Sequence, residues 1–414
     1  MTTRSTALLR VVHRHSGVTR ADAARLLGIG TGAATELVTK LSRAALLAQA
    51  PAAPSGTRGR PTTVLLPHPD GPLVLACAIT HEAWRLDVVA LGGATAASLS
   101  ARHGGARWAD VRTAVAAAIE DLLSRYGDRL RAIGISVPGP VSRTLRLEAF
   151  TSDWHGIDLN ELWPGAGLLV AGNDATLAAT AEHLRGSAAG AAVALHLRIE
   201  AGLGGAVIDD GRPVLGAHGA AGEFGHMPFG DPAVRCGCGA HGCWGTAVDG
   251  TALARLLGAP EPRDPVTYAR RVIATAAREL GSQRARQDVA GLPPLSSGTP
   301  SGGAAAYPCG SGEAEPEIDP AASVEAVRVV GGALGRGLAG LVNALDPNLV
   351  TLGGIGVDLL AAVPNTITAA YRDGLMLIHR ESPPPVLPAA LPDDEGPIAG
   401  AAEEAWSALL PRLT

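Results

Sequence analysis

Three cysteines and a histidine form the strongest local pattern for chemistry in this sequence. Cys236, Cys238 and Cys243 lie close together with glycines between them, and His226 precedes them by ten residues. Glycine-separated thiolates can fold around one tetrahedral ion, and an imidazole can supply the fourth ligand. We therefore predict a closed Cys3His zinc site. His241 is a competing imidazole ligand, and a turn of reduced cysteines is the alternative without metal.

Four protein ligands leave no open position on the metal, so we predict a structural zinc ion and not a catalytic one. The odd count of five cysteines argues against a disulfide framework and for a reducing compartment. The N-terminal residues show no hydrophobic run with a cleavage site, and no stretch of about 18 uncharged apolar residues occurs. We therefore expect a cytoplasmic protein with no membrane partner.

The first 66 residues differ in charge from the rest of the chain. They contain nine Lys or Arg against two acidic residues, a net of +7, which leaves −12 for the remainder. Apolar residues recur with helical spacing in segments that begin at Thr19 and Thr31, and a glycine turn at 28–30 separates them. This pattern predicts a helix-turn-helix. The Pro- and Gly-rich segment 51–61 and a strand at 62–66 predict a wing. We interpret residues 1–66 as a winged helix-turn-helix that binds double-stranded DNA.

This interpretation assigns roles to individual side chains. The start of the third helix would face base edges, the wing would enter the minor groove, and other basic residues would contact phosphate. The residues are Thr31, Ala33, Ala34 and Thr35 for the bases, Arg58 and Arg60 for the minor groove, and Arg20, Lys40 and Arg43 for phosphate. The alternatives are a basic but solvated face, or a three-helix unit that binds protein.

From residue 67 onward, strands alternate with helices, which predicts an α/β architecture. The predicted strands are 73–79, 86–91, 132–137, 168–171, 193–199 and 205–208, and the predicted helices are 108–126 and 174–185. Residues 281–320 are rich in Gly, Ser, Pro and Ala without periodicity, so we predict a mobile insertion there.

Several motifs in this part of the chain resemble those of the ROK family, whose name joins repressors, unassigned reading frames and sugar kinases. Residues 236–245 match the family motif CxCGxxGCxE except at Gly245, where the family has a Glu that contacts the sugar. Glu223-Phe-Gly-His226 matches the motif ExGH. Further matches are Val137-Pro-Gly-Pro140, Asn173-Asp174, Gly219-Ala-Ala-Gly-Glu223 and Asp346-Pro-Asn-Leu-Val-Thr-Leu-Gly-Gly354.

The resemblance implies an N-terminal winged helix-turn-helix followed by a two-lobed, actin-like and sugar-kinase-like (ribonuclease H-like) ATPase fold. The expected divisions are the DNA-binding domain at 1–66, a first α/β lobe at 67–185 and a second α/β lobe at 186–414. The second lobe would contain the zinc loop 226–243 and the insertion 281–320. Its C-terminal segment would return to the first lobe.

The resemblance also implies a sugar cleft lined by Asn173, Asp174, Glu223 and His226. The family's kinases use an Asp at the position of Asp174 as the base that takes the proton from the sugar hydroxyl. The alternative for Asn173 and Asp174 is that they cap the helix that starts at Ala175.

The phosphate loops of the family's kinases are replaced in this sequence. Residues 78–82 stand where the kinases have Asp-x-Gly-Gly-Thr, and Glu200 begins the segment that corresponds to Gly-Thr-Gly. Without the first-loop glycines the backbone N–H groups cannot close on phosphate, and Glu82 and Glu200 would repel it. We therefore expect that the chain is not an enzyme and that Asp174 is a vestigial base.

These observations together predict a transcription regulator of carbohydrate metabolism, and a repressor more than an activator. A sugar or sugar-like effector would change the affinity of a homodimer, or a dimer of dimers, for its operator. The alternatives are an ATP-dependent sugar kinase and a ligand-independent regulator. Gly245 keeps the last alternative open because it removes two acceptor oxygens from the sugar pocket.

Overall fold

A computed structural model describes residues 3–52, 63–149, 152–163, 167–290 and 318–414 of this chain. Arg58 and Arg60, the two arginines of the predicted wing, lie outside the described residues, as does most of the predicted insertion. Within the described ranges, no helix combines the length and apolar character needed to cross a membrane.

The N-terminal unit consists of three short helices and a two-stranded antiparallel sheet. Its elements are α1 (Arg4–Arg14), α2 (Arg20–Leu26), α3 (Thr31–Arg43), β1 (Leu47–Pro51) and β2 (Thr63–Pro67). The Thr19 hydroxyl accepts the backbone N–H of Asp22 at 3.1 Å and so caps α2, as its position predicts. Apolar residues of all three helices and both strands are buried in one core.

The first lobe is a mixed five-stranded sheet with helices on both faces. Its elements are β3 (Leu73–Ile79), β4 (Ala83–Ala90), β5 (Thr95–Arg102), α4 (Trp108–Tyr126), β6 (Leu130–Val137), β7 (Arg146–Ala149), β8 (Trp154–Asp158), β9 (Leu168–Asn173) and α5 (Asp174–Arg185). The sheet order is β5-β4-β3-β6-β9, with β3, β6 and β9 parallel. Alternate residues of β3 face opposite sides, so Leu75 packs toward α4 and Ala76 toward the N-terminal unit.

The second lobe contains another mixed five-stranded sheet, ordered β12-β11-β10-β13-β14. Its elements are β10 (Val193–Ile199), β11 (Leu203–Asp209), β12 (Arg212–Pro213), α6 (Gly250–Leu256), α7 (Pro265–Ala290), α8 (Pro320–Leu345), β13 (Leu349–Gly354), α9 (Ile355–Ala362), α10 (Pro364–Gly374), α11 (Leu377–Glu381) and β14 (Val386–Pro388). The last helix, α12 (Gly396–Leu409), crosses back and packs against β3, β6 and β9 of the first lobe.

Helix α7 differs from the sequence prediction at its C-terminal end. It continues to Ala290, whereas the sequence predicts irregular structure from residue 281. Residues 282–290 lack an apolar stripe with helical spacing, but they are rich in Ala, Arg and Gln, which are strong helix formers. The high helix propensity of these residues therefore explains why α7 continues beyond residue 281.

Helix α8 passes so close to Trp244 that a glycine is required at the contact. A Cβ atom at Gly337 would lie 2.1 Å from the indole ring of Trp244, which is fully buried and donates its Nε1–H to the carbonyl of Ala333 at 3.2 Å. We expect Gly337→Ala to lower the free energy of unfolding by about 1–3 kcal/mol through overpacking, although alanine favours helices. Urea denaturation measures this change.

Gly332, on the same helix, is the matched control for this substitution. The nearest atom to a Cβ there is the Arg336 Nη1 at 3.5 Å, which is an ordinary contact. Gly332→Ala should therefore raise the free energy of unfolding by about 0.5–1 kcal/mol. Equal effects of the two substitutions would contradict the packing argument.

Candidate functional site

The candidate site lies at one edge of the first-lobe sheet. Because β3, β6 and β9 are parallel, their carboxyl ends meet at that edge. His81 follows the end of β3, and Asp174 opens α5 directly after β9. The charge on Asp174 acts on His81, Glu200 and Glu223, so side chains of four different segments lie within electrostatic range of Asp174. We call the space between them the cleft.

The side-chain oxygen of Asn173 caps helix α5. Its Oδ1 accepts the backbone N–H groups of Ala175 at 2.9 Å and Thr176 at 3.3 Å, which confirms the capping alternative for this residue. The Nδ2 group is therefore the part of the amide that can donate a hydrogen bond to a hydroxyl oxygen of a ligand. One carboxylate oxygen of Asp174 also accepts the N–H of Ala175, at 2.8 Å.

The backbone just before Glu223 packs closely against strand β11, and this contact positions Glu223 at the cleft. Gly222 has φ +100°, and a Cβ there would lie 2.1 Å from the carbonyl oxygen of Gly205, so only glycine fits. Burial raises the pKa of Glu223, and the negative charge of Asp174 raises it further, against the opposing effect of His226. The Nε2 atom of His226 lies 3.6 Å from Oε2 of Glu223.

The structure changes the electrostatic argument about phosphate. Glu82 is exposed, and its carboxylate lies 2.7 Å from Arg102 Nη2. Glu200 is paired with Arg198, which is buried and also donates to the carbonyl of Asp393 at 3.0 Å. Since each predicted repelling carboxylate has its own arginine, the repulsion expected from the sequence is largely offset at both positions.

His81 is a cleft residue that the sequence analysis did not assign to the site. Its Nδ1 lies 2.7 Å from the Ser152 hydroxyl, which ties the β3–β4 turn to the start of β8. Burial lowers the pKa of His81, against the opposing charges of Asp174 and Glu82, so the ring is neutral near pH 7. The signal available in the sequence was its position just after a parallel strand.

The metal-ligand cluster forms as the sequence predicts. One ligand atom each from His226, Cys236, Cys238 and Cys243 lies within 4.8 Å of the other three. The Sγ atoms of Cys238 and Cys243 are 3.6 Å apart, and Cys236 Sγ is 3.7 Å from His226 Nδ1. A zinc ion with tetrahedral bonds of about 2.3 Å needs ligand separations of about 3.8 Å, so the residues fit such an ion. Competing His241 is not part of the cluster.

The two ring nitrogens of His226 therefore face different neighbours. Nδ1 points toward the thiolates and Nε2 toward Glu223. A metal ion on Nδ1 would fix the tautomer with a proton on Nε2, which can then donate to Glu223 or to a ligand. The metal loop and the candidate ligand site thus share this side chain.

The predicted DNA-contacting residues separate into two groups. Thr31, Thr35, Arg20, Lys40 and Arg43 are exposed, and Ala33 is half-buried. Ala34 is only 2% exposed because it faces the interior of the three-helix unit, so its prediction as a base contact is wrong. The Thr35 hydroxyl donates to the carbonyl of Thr31 at 2.8 Å, which leaves its methyl group and oxygen lone pairs for a partner.

Comparisons with known proteins show which family part of this chain resembles. Residues 89–290 match the model of the ROK family. A glucokinase of Streptomyces coelicolor is 35% identical over 146 residues, 34% of this chain and 45% of that protein. A kanosamine kinase of Amycolatopsis mediterranei is 32% identical over 182 residues, 42% of this chain and 57% of that protein. The chain thus spans about half the length of these curated relatives.

Two solved structures share the fold. A ROK family transcriptional regulator, described as a homolog of the E. coli MLC protein, has a TM-score of 0.70 and 20% identity, covering 99% of this chain and 96% of its own. A ROK family glucokinase from Streptomyces griseus, in complex with glucose and AMPPNP, has a TM-score of 0.59 and 22% identity, covering 81% and 99%. At these identities the likeness establishes the α/β sugar-kinase-like fold alone.

The expectation that the chain is not an enzyme is contradicted by these comparisons. The curated relatives are named as a glucokinase and a kanosamine kinase, and a ROK family glucokinase shares the fold. The physical reason is that Glu82 and Glu200 are each paired with an arginine, so their charges repel phosphate less than the isolated residues would.

Proposed function

We propose, from the ROK family domain that residues 89–290 match, that this chain binds a sugar between its lobes and phosphorylates it with a nucleoside triphosphate. The observation that carries the proposal is the convergence of Asp174 with Glu223 at the carboxyl edge of the first-lobe sheet. The carboxylates of Asp174 and Glu223 and the neutral imidazole of His81 lie in one cleft. Together they can accept and donate the hydrogen bonds that sugar hydroxyls make.

In the proposed reaction, each side chain has a separate role. Asn173 donates a hydrogen bond from Nδ2 to one sugar hydroxyl, and Glu223 and His226 bind further hydroxyl groups of the sugar. Asp174 accepts the proton of the attacking hydroxyl as the new O–P bond forms and the bond to the leaving nucleoside diphosphate breaks. The arginine partners of Glu82 and Glu200 lower the cost of bringing phosphate near those carboxylates.

A two-part experiment tests this proposal. Calorimetry without nucleotide measures binding of glucose, kanosamine, N-acetylglucosamine and N-acetylgalactosamine, and a coupled assay with magnesium and ATP measures release of ADP with the same sugars. We expect at least one sugar to bind and to stimulate ADP release. A sugar that binds without ADP release would refute the kinase reaction while leaving the cleft as an effector site.

A second function is supported by the N-terminal unit. The winged helix-turn-helix is proposed from α1–α3 with β1 and β2, and the likeness to a ROK transcriptional regulator extends over 99% of the chain. We propose that the unit binds an operator as part of a cytoplasmic homodimer and that the cleft sugar modulates repression. A structural zinc ion would hold the loop that carries His226.

Arg43 provides a test of the DNA-binding surface. We expect Arg43→Ala to weaken binding to a duplex of about 25 base pairs and to reduce the slope of log K against log salt by about 0.9, because one phosphate contact is lost. Fluorescence anisotropy over a salt series measures both quantities. Arg107→Ala, an equal change at an exposed position before α4, is the control and should leave the slope unchanged. Identical slopes for all three proteins would rule out a phosphate contact by Arg43.

A further inference from the structure

A buried cluster of charged side chains joins the N-terminal unit to helices α5 and α12. Glu403 of α12 is only 6% exposed and accepts from His13 Nε2 of α1 at 2.9 Å and from Arg185 Nε of α5 at 2.6 Å. The other nitrogen of His13 accepts the backbone N–H of Gly92 at 2.8 Å, which places the proton on Nε2. Three elements distant in sequence thus meet at one carboxylate.

Helix α5 has the candidate ligand site at one end and this cluster at the other. Asn173 caps its start, Asp174 is its first residue, and Arg185 is its last. Helix α12 lies directly against it, since a Cβ at Gly400 would be 1.9 Å from the carbonyl oxygen of Leu177. Two helices packed backbone to backbone cannot slide independently, so a shift of α5 is carried to α12.

The N-terminal unit shares its core with the same helices. Leu8, Leu9 and Val12 of α1 belong to one apolar cluster with Leu177 of α5 and Trp406 of α12. The rings of His13 and Trp406 are 5.6 Å apart. The charged cluster therefore lies inside this interface, where a carboxylate without its partners is costly.

We propose that the His13–Glu403–Arg185 cluster couples ligand binding in the cleft to the placement of the N-terminal unit. The inference rests on the proposed sugar site for its ligand and on the proposed DNA-binding unit for its consequence. A sugar that shifts the first turn of α5 moves α5 and α12 together, and with them Arg185 and Glu403 relative to His13 of the N-terminal unit. The hydrogen bonds to His13 then favour either a docked or a released N-terminal unit.

Hydrogen exchange on the full chain tests the coupling, with Glu403→Gln and His13→Ala as the variants. The first keeps the size of the side chain but removes its charge, and the second leaves the Glu403–Arg185 pair intact. We expect the backbone amides of α1 to exchange at least about tenfold faster in both variants, while those of α8 do not change. Glu404→Gln is the matched control, because Glu404 is the next residue of α12 and faces Thr180 of α5. Unchanged α1 exchange in both variants would overturn the proposal.

The coupling itself is measured with and without sugar. Asn173→Ala removes the cap of α5, and we expect it to change α1 exchange in the wild-type background but not in the Glu403→Gln background. The sugar identified by calorimetry should change α1 exchange in the wild-type protein alone. Additive effects of the two substitutions would overturn the coupling. Absence of any binding sugar would count against the proposed function, and the substitution cycle still decides the inference.

Discussion

Cys238→Ser should abolish stoichiometric zinc binding and remove the response of the protein to chelators. Cys238 is exposed, so its side chain contributes little packing, and the loss comes from a tetrahedral site reduced to three strong ligands. We expect zinc affinity to fall by more than about 100-fold and the Tm of the variant to equal that of chelator-treated wild type. Metal analysis per chain and thermal unfolding with and without EDTA measure these effects.

His241→Ala is the control for the metal prediction. His241 is the competing ligand from the sequence, and it lies outside the cluster of four. This variant should keep one zinc ion per chain and the wild-type Tm. One zinc ion per chain in Cys238→Ser, or loss of zinc in His241→Ala, would show that the ligand set is different. Sugar binding should weaken with zinc loss, because His226 also faces Glu223.

Asp174→Asn should lower kcat by about 10²- to 10⁴-fold while sugar affinity changes only a few-fold. The amide keeps the shape and one acceptor oxygen but cannot accept the hydroxyl proton at the moment of attack. The coupled assay gives kcat, and calorimetry gives the Kd for the sugar. Asp128→Asn is the control, since Asp128 is exposed and precedes β6 at the opposite edge of the sheet. A kcat that is unchanged in Asp174→Asn would exclude Asp174 as the base.

The elements with strong periodicity could be predicted from the sequence. The bounds of α4, α5 and β10 agree with those predicted, because long apolar stripes or a buried run of Val, Leu and Ile define them. Strand β5 was missed because its residues are small, polar and mostly exposed. Its strand conformation comes from pairing with β4, which is a tertiary contact.

The candidate site was predictable in its residue types but not in its charge balance. Asp174, Glu223 and the four metal ligands follow from motifs. The pairing of Glu82 with Arg102 depends on the register of the β4–β5 hairpin, and that of Glu200 with Arg198 on a tight turn. To predict His81 as a site residue, one needs the strand order, because it brings the end of β3 to the same edge of the sheet as the end of β9. Local sequence contains neither the register nor the order.

The return of α12 to the first lobe has a consequence for how the chain is made. The face of β3, β6 and β9 that α12 covers, together with the apolar side of α1, emerges from the ribosome more than about 200 residues before α12 is synthesised. During that interval the first lobe cannot complete its core, and contacts of such long sequence separation form slowly. The nascent first lobe therefore exposes apolar surface throughout synthesis of the second lobe, which makes it a target for chaperones during that time.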